Sequence, residues 1–226
     1  MNKITIYLLV LFTFFSTNIQ AQKFTSAIEY LNHIGEEYGK ISDDSWSYVR
    51  AAAHSNRAKK IDKKRKELIT TVSAAKKRMS KLPAYNGNTS FRDAIINYLT
   101  IDYQVMTEDY AKIVDMEEIS EQSYDAMEAY MTAKKKANEK LNKASEEVQL
   151  KQKTFAIDND ITLNSESSKR SEKIKKANKI YDHYNVMYLL FFKSYKQEAY
   201  LIDAMSRKDV GALEQNNNAL KQASSE

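Results

Sequence analysis

The scarcity of glycine and proline constrains this chain more than any other feature. Pro83 is the only proline, and neither residue type occurs between Gly87 and Gly211. Both residues interrupt helices, whereas the Ala, Lys, Glu, Leu and Met that dominate here favour them. The sequence therefore predicts an all-α protein.

The first 21 residues have the features of a secretory signal. Lys3 supplies the positive charge, an apolar run covers residues 4–15, and Ile19-Gln20-Ala21 forms a cleavage site. Polar residues at 16–18 keep the apolar run shorter than a bilayer span. We expect cleavage after Ala21 and export of one all-helical domain, residues 22–226. Its predicted location is the periplasm, the outer envelope surface or the extracellular space, and it is not transmembrane once the signal is removed.

The chain contains no cysteine. An exported domain without disulfides is stabilised by its core alone. The same absence excludes lipid attachment at an amino-terminal cysteine, so we do not expect a lipoprotein.

Apolar spacing predicts an elongated up-down bundle of about four long helices with short helices at each terminus. Ser26 and Glu29 have the spacing of a capping box at the start of a short helix that ends at Gly39. Longer helices follow at about 43–82, 90–115, 116–157 and 166–207, with a helix break near Asp115, and Asp209 caps a short final helix. The helix predicted at 43–82 has an apolar seam with a seven-residue repeat, which comprises Ile61, Leu68, Val72, Ala75, Met79 and Leu82.

The last two long helices are joined by a polar loop, so we expect them to run antiparallel as a hairpin. Apolar residues are sparse between about 132 and 182. The pattern predicts that this part protrudes from the bundle as a coiled-coil tip.

Residues 181–205 are the densest apolar stretch of the chain, with apolar side chains on nearly every helix face. Such a helix is usually buried among neighbours. We predict that this stretch is the core of the bundle and that truncation of Phe191 or Tyr195 unfolds the protein.

Two groups of residues are candidate binding sites. A basic run is interpreted first as a solvated or helix-paired face, and its alternative role is contact with an anionic envelope polymer or lipid headgroups; it comprises Arg57, Lys59, Lys60, Lys63, Lys64, Arg65 and Lys66. A set of aromatic and methionine residues is interpreted first as part of a tyrosine-rich core, and the alternative is a groove for a small apolar or aromatic ligand; they are Tyr124, Met127, Tyr188, Phe191 and Tyr195.

No pattern in the sequence indicates catalysis. The chain has no glycine-rich phosphate loop, no cysteine nucleophile and no Glu-x-x-His pair of the kind that binds metals in helical bundles. We expect neither an enzyme nor a bound cofactor or metal. Nucleic acid is not an expected partner, because the chain is exported and the basic run lacks interleaved aromatic residues.

Four segments resemble a family of uncharacterised bacterial helical surface proteins that carry a secretion signal. They are Asn88–Asp93, Glu108–Val114, Glu121–Tyr130 and Phe191–Tyr200. The resemblance covers about residues 24–220 and implies an envelope or surface location without a known activity. Many members of that family are expected to be lipid-anchored, and the missing cysteine is a departure from that pattern.

Together these features favour an exported envelope or surface protein with an interaction or structural role. A partner protein or an anionic envelope polymer is the expected binding partner. The alternative is a binding module whose tyrosine-lined pocket holds a small apolar ligand.

Overall fold

The computed structural model describes residues 24–54, 57–163 and 169–225, and every regular element within them is helical. The all-α prediction is confirmed. The elements are α1 (Ala27–His54), α2 (Ala58–Met79), α3 (Ser90–Gln104), a π-helical turn (Val105–Asp109), α4 (Tyr110–Ser120), α5 (Tyr124–Asp158), α6 (Lys169–Arg207) and α7 (Val210–Ser225). The predicted signal segment and the polar residues 164–168 lie outside the described residues.

Helix α1 begins as predicted but ends much later. The Glu29 amide donates to Ser26 Oγ at 3.2 Å, and the Glu29 carboxylate accepts from the Thr25 amide at 2.8 Å. The predicted end at Gly39 is wrong, because the helix continues to His54. The reason is a single buried stripe that runs the whole length of the helix and holds its second half against the body: Ala27, Tyr30, Ile34, Ile41, Tyr48 and Ala51.

Helix α2 runs antiparallel to α1. Arg78 of α2 pairs with Glu37 of α1, and Thr71 of α2 donates to Asp44 of α1. The contacts move seven residues back along α2 and seven residues forward along α1. Five residues of the predicted seam are each at most 4% exposed, namely Leu68, Val72, Ala75, Met79 and Leu82. The seam is therefore confirmed, with Ile61 half-buried at its end.

Helix α3 returns along α2 after a tight turn. Asn86 and Gly87 adopt φ values of 49° and 77°, the left-handed region that such a reversal requires. The Arg92 guanidinium donates to the Leu82 carbonyl at 2.9 Å. At the opposite end Arg65 of α2 donates to the carbonyl of Met106 at 2.7 Å, so the two helices are antiparallel.

Helix α5 packs antiparallel on α3 and α4. The Tyr110 hydroxyl donates to Asn138 at 3.0 Å near the middle, and Phe155 lies against Phe91 at the far end with ring centroids 5.5 Å apart. The break before α5 falls at residues 121–123, later than predicted. Ser123 Oγ caps α5 by accepting from the Ala126 amide at 3.1 Å.

The carboxy-terminal half of α5 belongs to the body rather than to a protruding hairpin. Val148 and Phe155 join the core cluster formed by α1, α2 and α3. In contrast, nearly every described side chain between 172 and 187 on α6 is exposed. The tip predicted at 132–182, in which α5 and α6 pair, is therefore not observed. The apolar stripe of α5 looks sparse in the sequence because several of its buried positions are small residues, which allow close approach to α3.

The prediction that residues 181–205 form the core is wrong. Within this stretch Phe192 and Ala204 are the buried side chains, whereas Phe191 is 66% exposed and Tyr195 is 52% exposed. Helices α1–α5 bury most of their apolar residues against one another, which leaves α6 with the body on one face and α7 on another. The remaining face of α6 has no neighbour among the described residues.

Candidate interaction surface

The inward face of α6 attaches it to the body through a small cluster. Phe192 is 4% exposed and packs with Met127 of α5, while Tyr188 and Leu189 are half-buried beside it. Lys196 donates to the Glu121 carbonyl at 2.9 Å, at the turn before α5. This face holds α6 by its middle and leaves its amino-terminal half outside the body.

A second face of α6 is covered by α7. Asp209 caps α7 as predicted, since its carboxylate accepts from the Ala212 amide at 3.0 Å. The helix then returns along α6, with Asn216 donating to the Tyr200 carbonyl at 3.1 Å and Ser194 donating to the Ala223 carbonyl at 3.2 Å. Ala204 is fully buried between the two helices.

The third face of α6 is an exposed apolar stripe, here called the outer stripe. Its seven side chains are each 52–66% exposed: Ile180, Tyr184, Met187, Phe191, Tyr195, Ile202 and Met205. At ~200 Å² for each large side chain, the stripe exposes roughly 800 Å² of side-chain surface over a length of ~38 Å. The largest apolar patch of an ordinary monomer is ~300–600 Å², and larger patches mark interaction sites.

Ring stacking fixes the aromatic side chains of α6 in place. Tyr184 stacks on Tyr188 with centroids 5.7 Å apart, and Tyr188 stacks on Phe192 at 5.6 Å. On the outer stripe itself Phe191 stacks on Tyr195 at 6.1 Å. The buried Phe192 is thus the inner end of a ladder of rings that reaches the solvent at Tyr184.

The five residues of the predicted apolar groove are divided between two faces. Met127 is buried and Tyr124 and Tyr188 are half-buried in the cluster that joins α5 to α6. Phe191 and Tyr195 point outward on the outer stripe. The sequence identified a residue set that is close in space, but it did not separate the attachment residues from the exposed ones.

The predicted basic face is partly used within the fold. Arg65 is bound to Asp62 at 2.8 Å and to the Met106 carbonyl, and its side chain is only 13% exposed. Lys66 pairs with Asp62 at 2.6 Å, and Lys63 and Lys64 pair with Glu67. Lys59 and Lys60 are exposed at the start of α2, as is Arg57 just before it. The ion pairs within α2 reduce the positive field that a polyanion would meet.

A buried carboxyl group lies where α3 meets the π-helical turn. Asp102 is 3% exposed, and burial raises its pKa to about 7. Burial also raises the pKa of neighbouring Tyr38, Tyr98 and Tyr110, and the nearby Asp102 carboxyl raises each further. Among the described residues no cation is within ion-pair distance of Asp102, and the buried Tyr38 hydroxyl has no hydrogen-bond partner.

Sequence reasoning missed this cluster. Asp102 lies between apolar residues of a helix and reads as an ordinary polar position, and the π-helical turn has no sequence signal of its own. The only available signal was the apolar spacing of Ile95, Leu99 and Met106, which places residue 102 on the same buried face.

A surface groove of about 460 Å³ lies between α3 and α5. Its lining is mainly polar and charged, and the ion pair of Lys140 and Asp109 at 2.6 Å lies within it. Within the described ranges, no three histidine, aspartate or glutamate side chains converge as metal ligands. None of the helices in the described part of the chain has an apolar window long enough to cross a membrane.

The sequence matches no protein-family model, no curated protein and no solved structure. The outer stripe and the buried Asp102 cluster are therefore interpreted from their own chemistry.

Proposed function

We propose that this protein is exported to the bacterial envelope or cell surface and acts there by binding another protein through the outer stripe of α6. The observation that carries the proposal is the size and continuity of that stripe, roughly 800 Å² of exposed side chain, mostly apolar, on one helix face. Leaving such a surface in water opposes solubility, so its presence favours a partner that covers it.

The composition of the outer stripe supports a protein partner. Tyrosine, phenylalanine and methionine are enriched in protein interfaces, and they supply three of the four residue types found here. The stacked pair Phe191 and Tyr195 lies near the middle of the stripe, where residues that dominate binding energy usually cluster. An open convex helix face suits an extended partner, whereas a small ligand requires an enclosed pocket.

The amino-terminal half of α6 supports the same conclusion. Residues 172–187 are almost wholly exposed, and a helical segment of this length is only marginally stable in water without tertiary contacts. A partner that covers this half contributes the packing that the body does not.

The envelope location rests on residues 1–21 and is tested by recovery of the protein from its native cells. We expect the protein in the envelope or the medium, with Gln22 as its first residue in mass spectrometry of the intact chain. Recovery from the cytoplasm with residues 1–21 retained would contradict the location.

The interaction role is tested by affinity capture from an extract of the same envelope. We expect the wild-type chain to retain a specific protein that Phe191→Glu fails to retain, because a charge in the middle of an apolar interface is desolvated without a partner. The control is Ile157→Glu, which places the same charge at an apolar residue of α5 that is 76% exposed and is not part of the stripe. Equal capture by all three chains would show that the stripe is not the binding surface.

A further inference from the structure

We propose that the protein covering the outer stripe is a second copy of this chain, with the two α6 helices antiparallel about a two-fold axis at Phe191. This inference rests on the proposed function, since it names the partner of the same surface.

Together with Ala177 and Glu198, which lie on the same helix face, the positions of the outer stripe are symmetric about Phe191. From Ala177 to Met205 the successive steps are three, four, three and four residues, and after Phe191 they are four, three, four and three. The positions are 177, 180, 184, 187, 191, 195, 198, 202 and 205. A two-fold interface requires one surface to be complementary to itself, and an antiparallel helix pair requires a spacing that reads the same in both directions.

This symmetry places compatible side chains opposite one another. Ile180 faces Ile202 of the second copy, and Met187 faces Tyr195. Phe191 faces its own counterpart on the axis. The single polar residue of the series, Glu198, faces Tyr184, whose hydroxyl is able to donate to a carboxylate.

The charges along α6 favour the antiparallel arrangement over the parallel one. The amino-terminal half is basic, with lysines at 173, 175, 176 and 179, whereas Asp203 and Asp209 lie near the carboxyl end. An antiparallel pair places the basic half of each helix beside the carboxyl half of the other, which carries Glu198 and Asp203. A parallel pair would place the four lysines of each helix beside those of the other. Arg207 and Lys208 also lie at the carboxyl end, where Arg207 is paired with Asp203 and Asp209 at 2.8 and 3.8 Å.

The exposed area matches what a stable dimer needs. A specific interface of ordinary size buries about 800 Å² on each partner, and the outer stripe exposes roughly that much. The eight steps between 177 and 205 average 3.5 residues, the apolar period of two helices that pair as a left-handed coiled coil.

The rest of the fold leaves room for the second copy. The body contacts α6 through Phe192 and Lys196, and α7 contacts it through Ser194 and Ala204, so both neighbours occupy other faces. The body is attached around residues 188–200, towards the carboxyl end of α6.

The register is tested by disulfide cross-linking, which this chain permits cleanly because it has no native cysteine. Under mild oxidation of the full exported chain we expect Phe191→Cys to form a covalent dimer. A mixture of Met187→Cys chains with Tyr195→Cys chains should link equally well, and this second pair retains the central phenylalanine. Tyr184→Cys should remain unlinked, because the two copies of residue 184 would lie ~21 Å apart along the axis. The surface control is Ile157→Cys.

Cross-linking of Tyr184→Cys to itself would indicate a parallel pair and would overturn the proposal. Sedimentation equilibrium provides the second measurement, in which we expect a dimer for the wild type and for Ile157→Glu. Phe191→Glu should weaken association by ~100-fold or more, because each dimer receives two facing charges.

A wild-type chain that sediments as a monomer, with no cross-link at 191 or between 187 and 195, would also overturn the proposal. If Phe191→Glu then still lost an envelope partner in affinity capture, the stripe would serve a different protein, and the proposed function would stand without the two-fold pairing. If Phe191→Glu lost no envelope partner, both the two-fold pairing and the proposed function would be wrong.

Discussion

Asp102 is the residue whose burial has the clearest physical consequence. Its carboxyl is 3% exposed, and burial raises its pKa to about 7 from an ordinary value of 3.8. The folded-state pKa of Asp102 is above its unfolded-state pKa, so protonation of this carboxyl stabilises the folded state. That contribution to the free energy of unfolding is complete below about pH 3.8 and is lost as the pH rises through about 7. Above that range the charged form costs roughly 4 kcal/mol at 1.36 kcal/mol per pKa unit.

Substitution of Asp102 by Asn should therefore stabilise the protein in a pH-dependent manner. The free energy of unfolding of Asp102→Asn minus that of the wild type should increase between pH 4 and pH 7.5 and should level off above that range. Urea unfolding monitored by circular dichroism at both pH values measures this difference. A difference independent of pH would show that Asp102 is already paired or solvated in the folded protein.

At the residue scale the sequence predicted apolar positions better than buried polar ones. Leu68, Val72 and Met79 followed from spacing alone, because an apolar side chain in a seam needs only another apolar side chain. Glu37 and Asp102 occupy the same kind of position, and both are buried. Their burial depends on particular neighbours, Arg78 for Glu37 and three tyrosines around Asp102, which become known only when the helices are paired.

Phe155 is the side chain through which α5 is joined to α1, to α3 and to the turn before α3. Its ring lies 5.5 Å from those of Tyr30, Tyr85 and Phe91, and it is 4% exposed. Truncation leaves a cavity where α1, α3 and α5 meet. We expect Phe155→Ala to lower the free energy of unfolding by ~3–5 kcal/mol.

Chemical denaturation of Phe155→Ala measures this loss, and Leu150→Ala is the control on the same helix because Leu150 is 60% exposed. The control should lose less than ~1 kcal/mol. If the two substitutions cost the same, the carboxy-terminal half of α5 would not be packed in the body, and the protruding hairpin expected from sequence would be the better description.

At the element scale, helix starts were more predictable than helix ends and partners. The capping residues Ser26, Ser123 and Asp209 act locally, and two of them were recognisable from spacing. The end of α1 was misplaced because Gly39 is tolerated inside a helix whose apolar stripe remains buried on both sides of it. The pairing of α5 with α6 was predicted over too great a length, because adjacency along the chain favoured α6. Small residues such as Ala137 and Ala144 suit close packing on α3 and α4 instead.

On the scale of the whole molecule, the body of α1–α5 is packed without the outer half of α6. The sequence shows a helix that is apolar on nearly all faces, and this pattern is equally typical of a core helix and of a helix that pairs with another molecule. Spacing therefore identified residues 181–205 as an apolar helix but placed them in the core, whereas most of their large apolar side chains are exposed. The adjacent residues Phe191 and Phe192 separate the two possibilities, since one is 66% exposed and the other 4%.

The most direct test of the account is the thermal unfolding of Phe191→Glu beside that of Phe192→Glu, each at two protein concentrations tenfold apart. We predict that Phe191→Glu unfolds cooperatively, at a midpoint independent of concentration and within a few degrees of the wild type at the lower concentration. Phe192→Glu should lose ~10 °C or more, at ~2–4 °C for each kcal/mol in a chain of this size. Equal loss in both variants at the lower concentration would contradict the account, because it would place Phe191 in the core.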